Sequence, residues 1–437
     1  MVIILTILAY FAVLLLFSRL TSRQANNNTF YRGDRRSPWY MVAFVLLPVY
    51  YRYNLTTIYT YLLHRLGNRS YKTGASFFLL SKMTGAAVRF FVVCFILQHF
   101  VLDNIGVPFW LTVPSMVVLI WLYTRKGGIK TLVWTDTFQT LCMFAALLLI
   151  IYKVTGQLGM TPTEAIAAIS QDEHSRIFVF DDWVSRQNFW KQFLSGIFVV
   201  IVMTGLDQDM MQKNLTCKTL REAQKDMCSY GFAFVPANLL FLSLGVLLMM
   251  LAKSQGMALP EKPDDLLPMF AASGALGSMV TVFFTIGVVA ASFSSADSAL
   301  TALTTSVCVD IFGRDEDEDL RKKVHLAVAM VFMLFIIGFG ALNSTSVIDA
   351  IYILCSYTYG PLLGLFAFGL MTHRKVNDRW VPWICIASPL ICFAVDTLTM
   401  QFTGYKFGYE LLMLNGALTF AGLALSGIGQ GVKMLRS

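Results

Sequence analysis

Eleven apolar runs, each near the length that crosses a bilayer, dominate the chain: approximately 2–20, 73–101, 107–123, 132–153, 191–211, 228–252, 278–311, 324–342, 347–372, 380–400 and 409–432. A helical crossing takes roughly 20 apolar residues, and the polar connections between the runs leave no room for a large soluble domain. The 437 residues are 56% hydrophobic and 14% charged, where an average soluble domain carries about 25% charge. The expected class is an all-α polytopic membrane protein of about 11 transmembrane helices.

The net charge of +8 does not read as a nucleic-acid surface, because Lys and Arg collect in alternate loops and form no continuous patch. Loops rich in them face the cytoplasm. Arg23, Arg32, Arg35 and Arg36 follow the first run; Arg125, Lys126 and Lys130, then Lys213, Lys218, Arg221 and Lys225, then Arg374, Lys375 and Arg379 follow later ones. The connections 102–106 and 154–190 are poorer in them and face outward. The chain is therefore expected to start outside and end in the cytoplasm. Its eight Cys form no CxxC pair, so neither disulfides nor structural zinc are expected. With no basic stretch before Val2–Phe17, that run reads as a span and not as a cleaved signal peptide.

One segment breaks the pattern. Pro38–Arg52, "PWYMVAFVLLPVYYR", offers about thirteen residues between charged flanks, too few for a crossing. Both flanks are basic, which places both ends inside and demands an even number of crossings. A re-entrant segment, or the loss of a pair of helices, would satisfy that demand.

Three places concentrate oxygen ligands inside apolar surroundings. In "SFSSADSALTALTTSV", 292–307, half of the side chains are Ser or Thr. On a helix Ala291, Ser294, Ser295 and Ser298 share one face. Hydroxyl oxygens suit an alkali cation such as sodium, whereas His or Cys would suit transition metals; tight helix packing by small residues is the alternative. Asp297 lies within the same run, where an acid is costly and usually faces a cavity or a partner. Asp136 in "VWTDTFQT", 133–140, is the second place, either a cation ligand or an interfacial cap. The third is "MTGLDQDMMQKN", 203–214, where Gly205 interrupts the run ahead of Asp207, Gln208 and Asp209. A helix broken there would expose backbone groups for ion or solute binding. By spacing alone, the simpler reading is a span that ends near Leu206 with the acids as its cytoplasmic exit.

No HExxH, Walker A or strand-borne GxGxxG motif occurs, so neither an ATP-driven pump nor a dinucleotide enzyme is indicated. His64, His99, His174, His325 and His373 lie mostly in loops or at span ends, which disfavours an intramembrane enzyme.

At these residues the sequence resembles the sodium:solute symporter family. The resemblance runs through "NLTTIYTYLLHRLG" (54–67), "VWTDTFQT" (133–140), "MTGLDQDMMQKNLTCKTLREAQKD" (203–226), "AASFSSADSALTALTTSVCVDIF" (290–312) and "YTYGPLLG" (357–364), and looks most like Bacteroidota versions. It implies one membrane transporter domain over 1–437 with a LeuT-type fold, two five-helix repeats of inverted topology meeting at the solute and sodium sites. The parts would be an extra N-terminal helix and loop in 1–37, a truncated first repeat in 38–153, a second repeat in 191–372 and C-terminal helices in 380–437. The implied activity is sodium-coupled symport of a small polar solute (sugar, sialic acid, polyol, amino or organic acid) by alternating access in a bacterial inner membrane. Its partners are sodium ions, the solute and the lipid bilayer.

Residue by residue, the resemblance assigns Ala291, through its carbonyl, and Ser294 and Ser295, through their hydroxyls, to the principal Na+ site. Asp136, with Asp297 nearby, is assigned to a second cation site or passage. Met203, Thr204, Asp207, Gln208 and Tyr357 become solute or gate positions. Met203 stands where sugar-transporting relatives place a stacking aromatic, which argues against a stacked hexose. Relatives also have a broken helix and most of a second helix where this chain joins Ala43 to Phe44. Their loss would leave a sodium ion short of ligands, so impaired transport is expected, with a non-transporting remnant or a membrane sensor module as the alternative.

Overall fold

The computed structural model describes residue 5, residues 9–10, 12–16 and 19, and then 56–103, 106–183, 185, 187–214, 217–261, 263–342 and 347–434. Segment 38–52 and the Ala43–Phe44 junction lie outside the described residues. Among the described residues every regular element is helical. Six stretches of the described residues are long and apolar enough to cross a membrane, and four shorter apolar helices accompany them there.

After a short helix α1 (Tyr59–Arg65), α2 (Asn68–Leu97) begins at Gly67, whose φ of 138° is open to glycine. A Cβ there would lie 2.6 Å from Asp378 Cγ. The bare backbone lets the Asp378 carboxylate accept from the Arg69 and Ser70 amides, at 2.8 and 2.7 Å. That carboxylate caps the first turn of α2 from the far end of the chain, where it also offsets the helix dipole.

The next helical stretch, α3 (Phe109–Gln157), holds two limbs, Phe109–Arg125 and Trp134–Gln157. Along the second limb the contacts climb the long helix α9 (Ser278–Ser306), from Gly287 beside Ala146 to Ser294 at Asp136. A straight continuation would carry Tyr123 past the far end of α9, yet Tyr123 bonds Asp297. The chain doubles back between the limbs, so the expected runs 107–123 and 132–153 are two passes against one partner helix. The intervening elements are α4 (Pro162–Gln171), α5 (Phe189–Val200), α6 (Gln208–Asn214), α7 (Leu220–Ser254) and α8 (Leu266–Ala271). Capping boxes, Thr161 with Glu164 and Thr219 with Glu222, start α4 and α7.

Helices α10 (Glu318–Leu342), α11 (Val347–Thr358), α12 (Gly360–Met371), α13 (Val381–Thr403) and α14 (Leu411–Met434) complete the order. The expected run 347–372 is thus two helices joined at Tyr359. Helices α12 and α14 touch backbone to backbone: a Cβ on Gly364 would lie 2.7 Å from the Gly416 carbonyl, the close approach that small residues permit in membranes. His325, expected near a span end, is buried and joins three elements, with Nε2 3.0 Å from Thr124 Oγ1 and Nδ1 2.9 Å from Thr304 Oγ1. Packing places α9 between α3, α2 and α10, around Phe90, Phe293 and Phe332.

Candidate functional site

The third oxygen-rich cluster does not end a span. α5 runs into a π-helical turn over Ile201–Gly205, leaves helical geometry at Leu206, and resumes as α6. Asp207 and Asp209 are 3% and 6% exposed, so the reading of them as an exit into water is overturned. The interior has answered the groups freed by the break. Tyr59 Oη donates to the Leu206 carbonyl at 2.7 Å, and Gln208 Nε2 donates to the Thr56 carbonyl at 2.8 Å. Backbone groups without water must find such partners.

Two acids so close inside a protein require positive charge. Lys82, on α2, supplies it: its Nζ lies 3.1 Å from Asp207 Oδ2 and 2.6 Å from Asp209 Oδ2. Tyr359, at the joint between α11 and α12, donates to Asp207 Oδ2 at 2.8 Å. One turn beyond Asp209, Lys213 carries the chain of charges onward, with Nζ 2.8 Å from Asp136 Oδ2 and 3.9 Å from Asp209 Oδ1. Asp136 Oδ1 in turn accepts from Ser294 Oγ at 2.6 Å. A continuous polar path therefore joins Tyr359, Asp207, Lys82, Asp209, Lys213, Asp136 and Ser294 across five elements.

Ser294 and Ser295 are half-buried and Ala291 is exposed, all on one face of α9. The geometry thus brings Asp136 to the Ser294 stripe. Asp297, on the next turn, is fully buried and held differently: Tyr123 Oη donates to its Oδ2 at 2.6 Å, and the Ser298 amide to its Oδ1 at 2.6 Å. Both of its oxygens have protein donors. Met203 and Thr204 sit half-buried in the π turn. Tyr357 is not brought to the network; its ring lies 6.4 Å from Phe393 and its carbonyl accepts from Asn415 Nδ2 at 3.0 Å. Tyr359, two residues on, takes the place at Asp207.

Sequence reasoning missed Lys82 and Arg89, and read Asp209 and Lys213 only as the cytoplasmic end of a span. Lys82 and Arg89 are seven residues apart within the apolar run 73–101, hence on one face of α2, and a charge inside a span is a signal in its own right. Arg89 is half-buried, and its Nε donates to the Gly85 carbonyl at 3.1 Å. No carboxylate pairs with it among the described residues.

What the site offers is an oxygen-lined, charge-dense path in which Asp136, Asp207 and Asp209 face Lys82 and Lys213, with the Arg89 guanidinium near Asp209 and buried Asp297 near Asp136 and Lys213. The hard oxygens of Asp136, Ser294 and Ser295 fit an alkali ion.

Comparison with known proteins bears on the family and the fold. The model of the sodium:solute symporter family matches residues 36–379. The chain is 26% identical over 341 residues to the sodium-dependent multivitamin transporter of Oryctolagus cuniculus, covering 75% of this chain and 52% of that protein. It is 23% identical over 393 residues to the sodium/sialic acid symporter NanT of Aliivibrio fischeri, covering 84% and 76%. A solved structure described as the substrate-bound outward-open state of a Na+-coupled sialic acid symporter superposes with a TM-score of 0.82, at 16% identity over 98% of each chain. The chain thus spans about half the length of the first of these relatives.

Proposed function

This chain belongs to the sodium:solute symporter family, and from that premise we propose that it couples uptake of a small anionic solute, a carboxylate, to sodium by alternating access. It would work as a multi-pass protein of a bacterial inner membrane, with its N-terminus outside and its C-terminus in the cytoplasm, as the Lys and Arg distribution favours. Sodium would be held by the Ala291 carbonyl and the Ser294 and Ser295 hydroxyls, with Asp136 as a second cation ligand.

The observation that carries the solute class is Arg89. A guanidinium inside a span is costly unless it meets a partner, and its planar fork binds a carboxylate bidentately. Its backbone lies about 10 Å along α2 from Lys82, and its charge is felt at Asp209 in the acidic path. An anion at Arg89 and sodium at α9 would each offset the charge that the other brings. Met203, which offers no aromatic face, agrees with a solute held by charge and not by stacking. Asp207, Gln208 and Tyr359 act as the structural frame of the broken helix.

The test is thermal stabilisation of the detergent-purified chain in sodium chloride against potassium or choline chloride, with and without a sialic acid or a monocarboxylate, beside glucose. A ligand that binds only the folded state raises the melting temperature. A sodium-specific rise that is lost in Ser294→Ala/Ser295→Ala, and a further rise with the acids that is lost in Arg89→Gln, support the reading. A rise with glucose that survives Arg89→Gln sinks the anionic assignment. Because Pro38–Arg52 is too short to cross, a second reading is a remnant that binds sodium without transporting; binding without uptake in proteoliposomes would establish it.

A further inference from the structure

We propose that Lys213 is a tethered competitor for the cation at Asp136: an incoming sodium ion displaces its ammonium from Asp136 to Asp209. This rests on the reading of Asp136 as a cation ligand. Both Asp136 oxygens are engaged, Oδ1 by Ser294 at 2.6 Å and Oδ2 by Lys213 at 2.8 Å. A second cation entering there competes with the ammonium for the same carboxylate.

The place to which Lys213 moves is already built. Asp209 Oδ1 is buried and has no hydrogen-bond donor, although it lies 3.9 Å from the same Lys213 Nζ. A buried acceptor without a donor is costly, and one short swing of the lysine side chain would satisfy it. The two residues stand four apart on α6, neighbours on one helical face, so the swing needs no backbone motion. Lys82 pins the other Asp209 oxygen at 2.6 Å, holding that carboxylate in place.

Access and charge balance point the same way. The Lys213 and Asp136 side chains keep 26% and 19% exposure, against 6%, 4% and 8% for Lys82, Asp207 and Asp209. The Asp136 end is thus the more accessible end of the network. Lys213 begins within reach of both Asp136 and Asp209; once sodium is at Asp136, the ammonium at Asp209 keeps a carboxylate partner. Cation binding is thereby transmitted to α6, the segment beyond the break, and Lys213 sets the affinity of the second cation.

Equilibrium binding of radioactive sodium to the purified full chain tests this. Lys213→Gln removes the competitor and should lower the half-saturating sodium concentration at the Asp136 site on the order of tenfold. Asp209→Asn removes the alternative partner and should raise it by a similar factor, and in the Lys213→Gln background it should have no effect. The opposite signs separate competition from damage, because a lysine that merely shapes the site would make Lys213→Gln bind more weakly. That result, or no sodium binding by either wild type or Lys213→Gln, overturns the proposal. If Lys213→Gln does not fold, Lys213→Arg replaces it: the guanidinium holds Asp136 more firmly, sodium binding should weaken, and unchanged affinity overturns the proposal. Asp136→Asn checks the premise separately. Sodium binding unaffected by it removes Asp136 as a ligand, whereas loss in Asp136→Asn without tightening in Lys213→Gln refutes the competition alone.

Discussion

Replacing Lys82 with methionine keeps an unbranched side chain only one atom shorter and deletes its charge, leaving Asp207 and Asp209 buried side by side. The ammonium lies 3.1 Å from one carboxylate and 2.6 Å from the other, with all three side chains under 10% exposed. At an effective dielectric of about 20, those separations correspond to roughly 5 and 6 kcal/mol of attraction, much of it offset by the cost of taking three charges out of water. What remains on breaking such a buried pair is about 3–5 kcal/mol. That is a large share of a stability of about 5–15 kcal/mol. Lys82→Met should therefore lower the apparent melting temperature sharply and give a poorly monodisperse protein in detergent. The triple variant Lys82→Met/Asp207→Asn/Asp209→Asn, which removes the charges together, should recover most of the loss. Fluorescence-detected size-exclusion after a heating series reads both. If Lys82→Met is as stable as wild type, or the triple variant is worse than the single, the network is not an ion-pair frame and the account of the broken helix fails.

Two further outcomes follow from the packing. Gly364→Ala would push a Cβ to 2.4 Å from Thr419 Cβ and 2.7 Å from the Gly416 carbonyl, so it should destabilise by about 1–3 kcal/mol, whereas Gly338→Ala, which meets nothing within 4 Å, should be neutral in the same melting assay. Asp310 accepts from Thr57, from Tyr71 Oη at 3.1 Å and from Ser306 Oγ at 2.6 Å, while Lys72 Nζ donates to the Asp310 and Ile311 carbonyls at 2.6 Å. Asp310→Ala orphans three donors at about 1–3 kcal/mol each, and limited proteolysis should then cleave faster in the 313–317 connection.

Much of the proposed ion-binding face was legible in the chain itself. Ala291, Ser294, Ser295 and Ser298 share a face by helical spacing, because the period of 3.6 residues fixes this before any partner is known; the family resemblance is what singles out the first three for sodium. Lys82 and Arg89 are equally visible as charges in an apolar run, but the acids that Lys82 meets lie more than a hundred residues away in the chain, so local pattern does not reveal what it pairs with. Tyr357 was chosen and Tyr359 was needed, because the joint between α11 and α12 decides which ring turns inward, and the joint is a product of packing.

The sequence by itself determined that this chain lives in a bilayer, that it is helical throughout its spans, and that oxygens line one face of α9. These are consequences of local chemistry: apolar length, backbone satisfaction in lipid, and period. Only the tertiary structure decided that the helix breaks at Leu206, that Asp207 and Asp209 are buried, and that Lys82 and Lys213 are the cations beside them. The break was disfavoured by spacing because a local reading counts the cost of freed backbone groups without their remedy. Tyr59 Oη on the Leu206 carbonyl, and Lys82 from more than a hundred residues upstream, supply that remedy, and such partners exist only once distant helices are packed together.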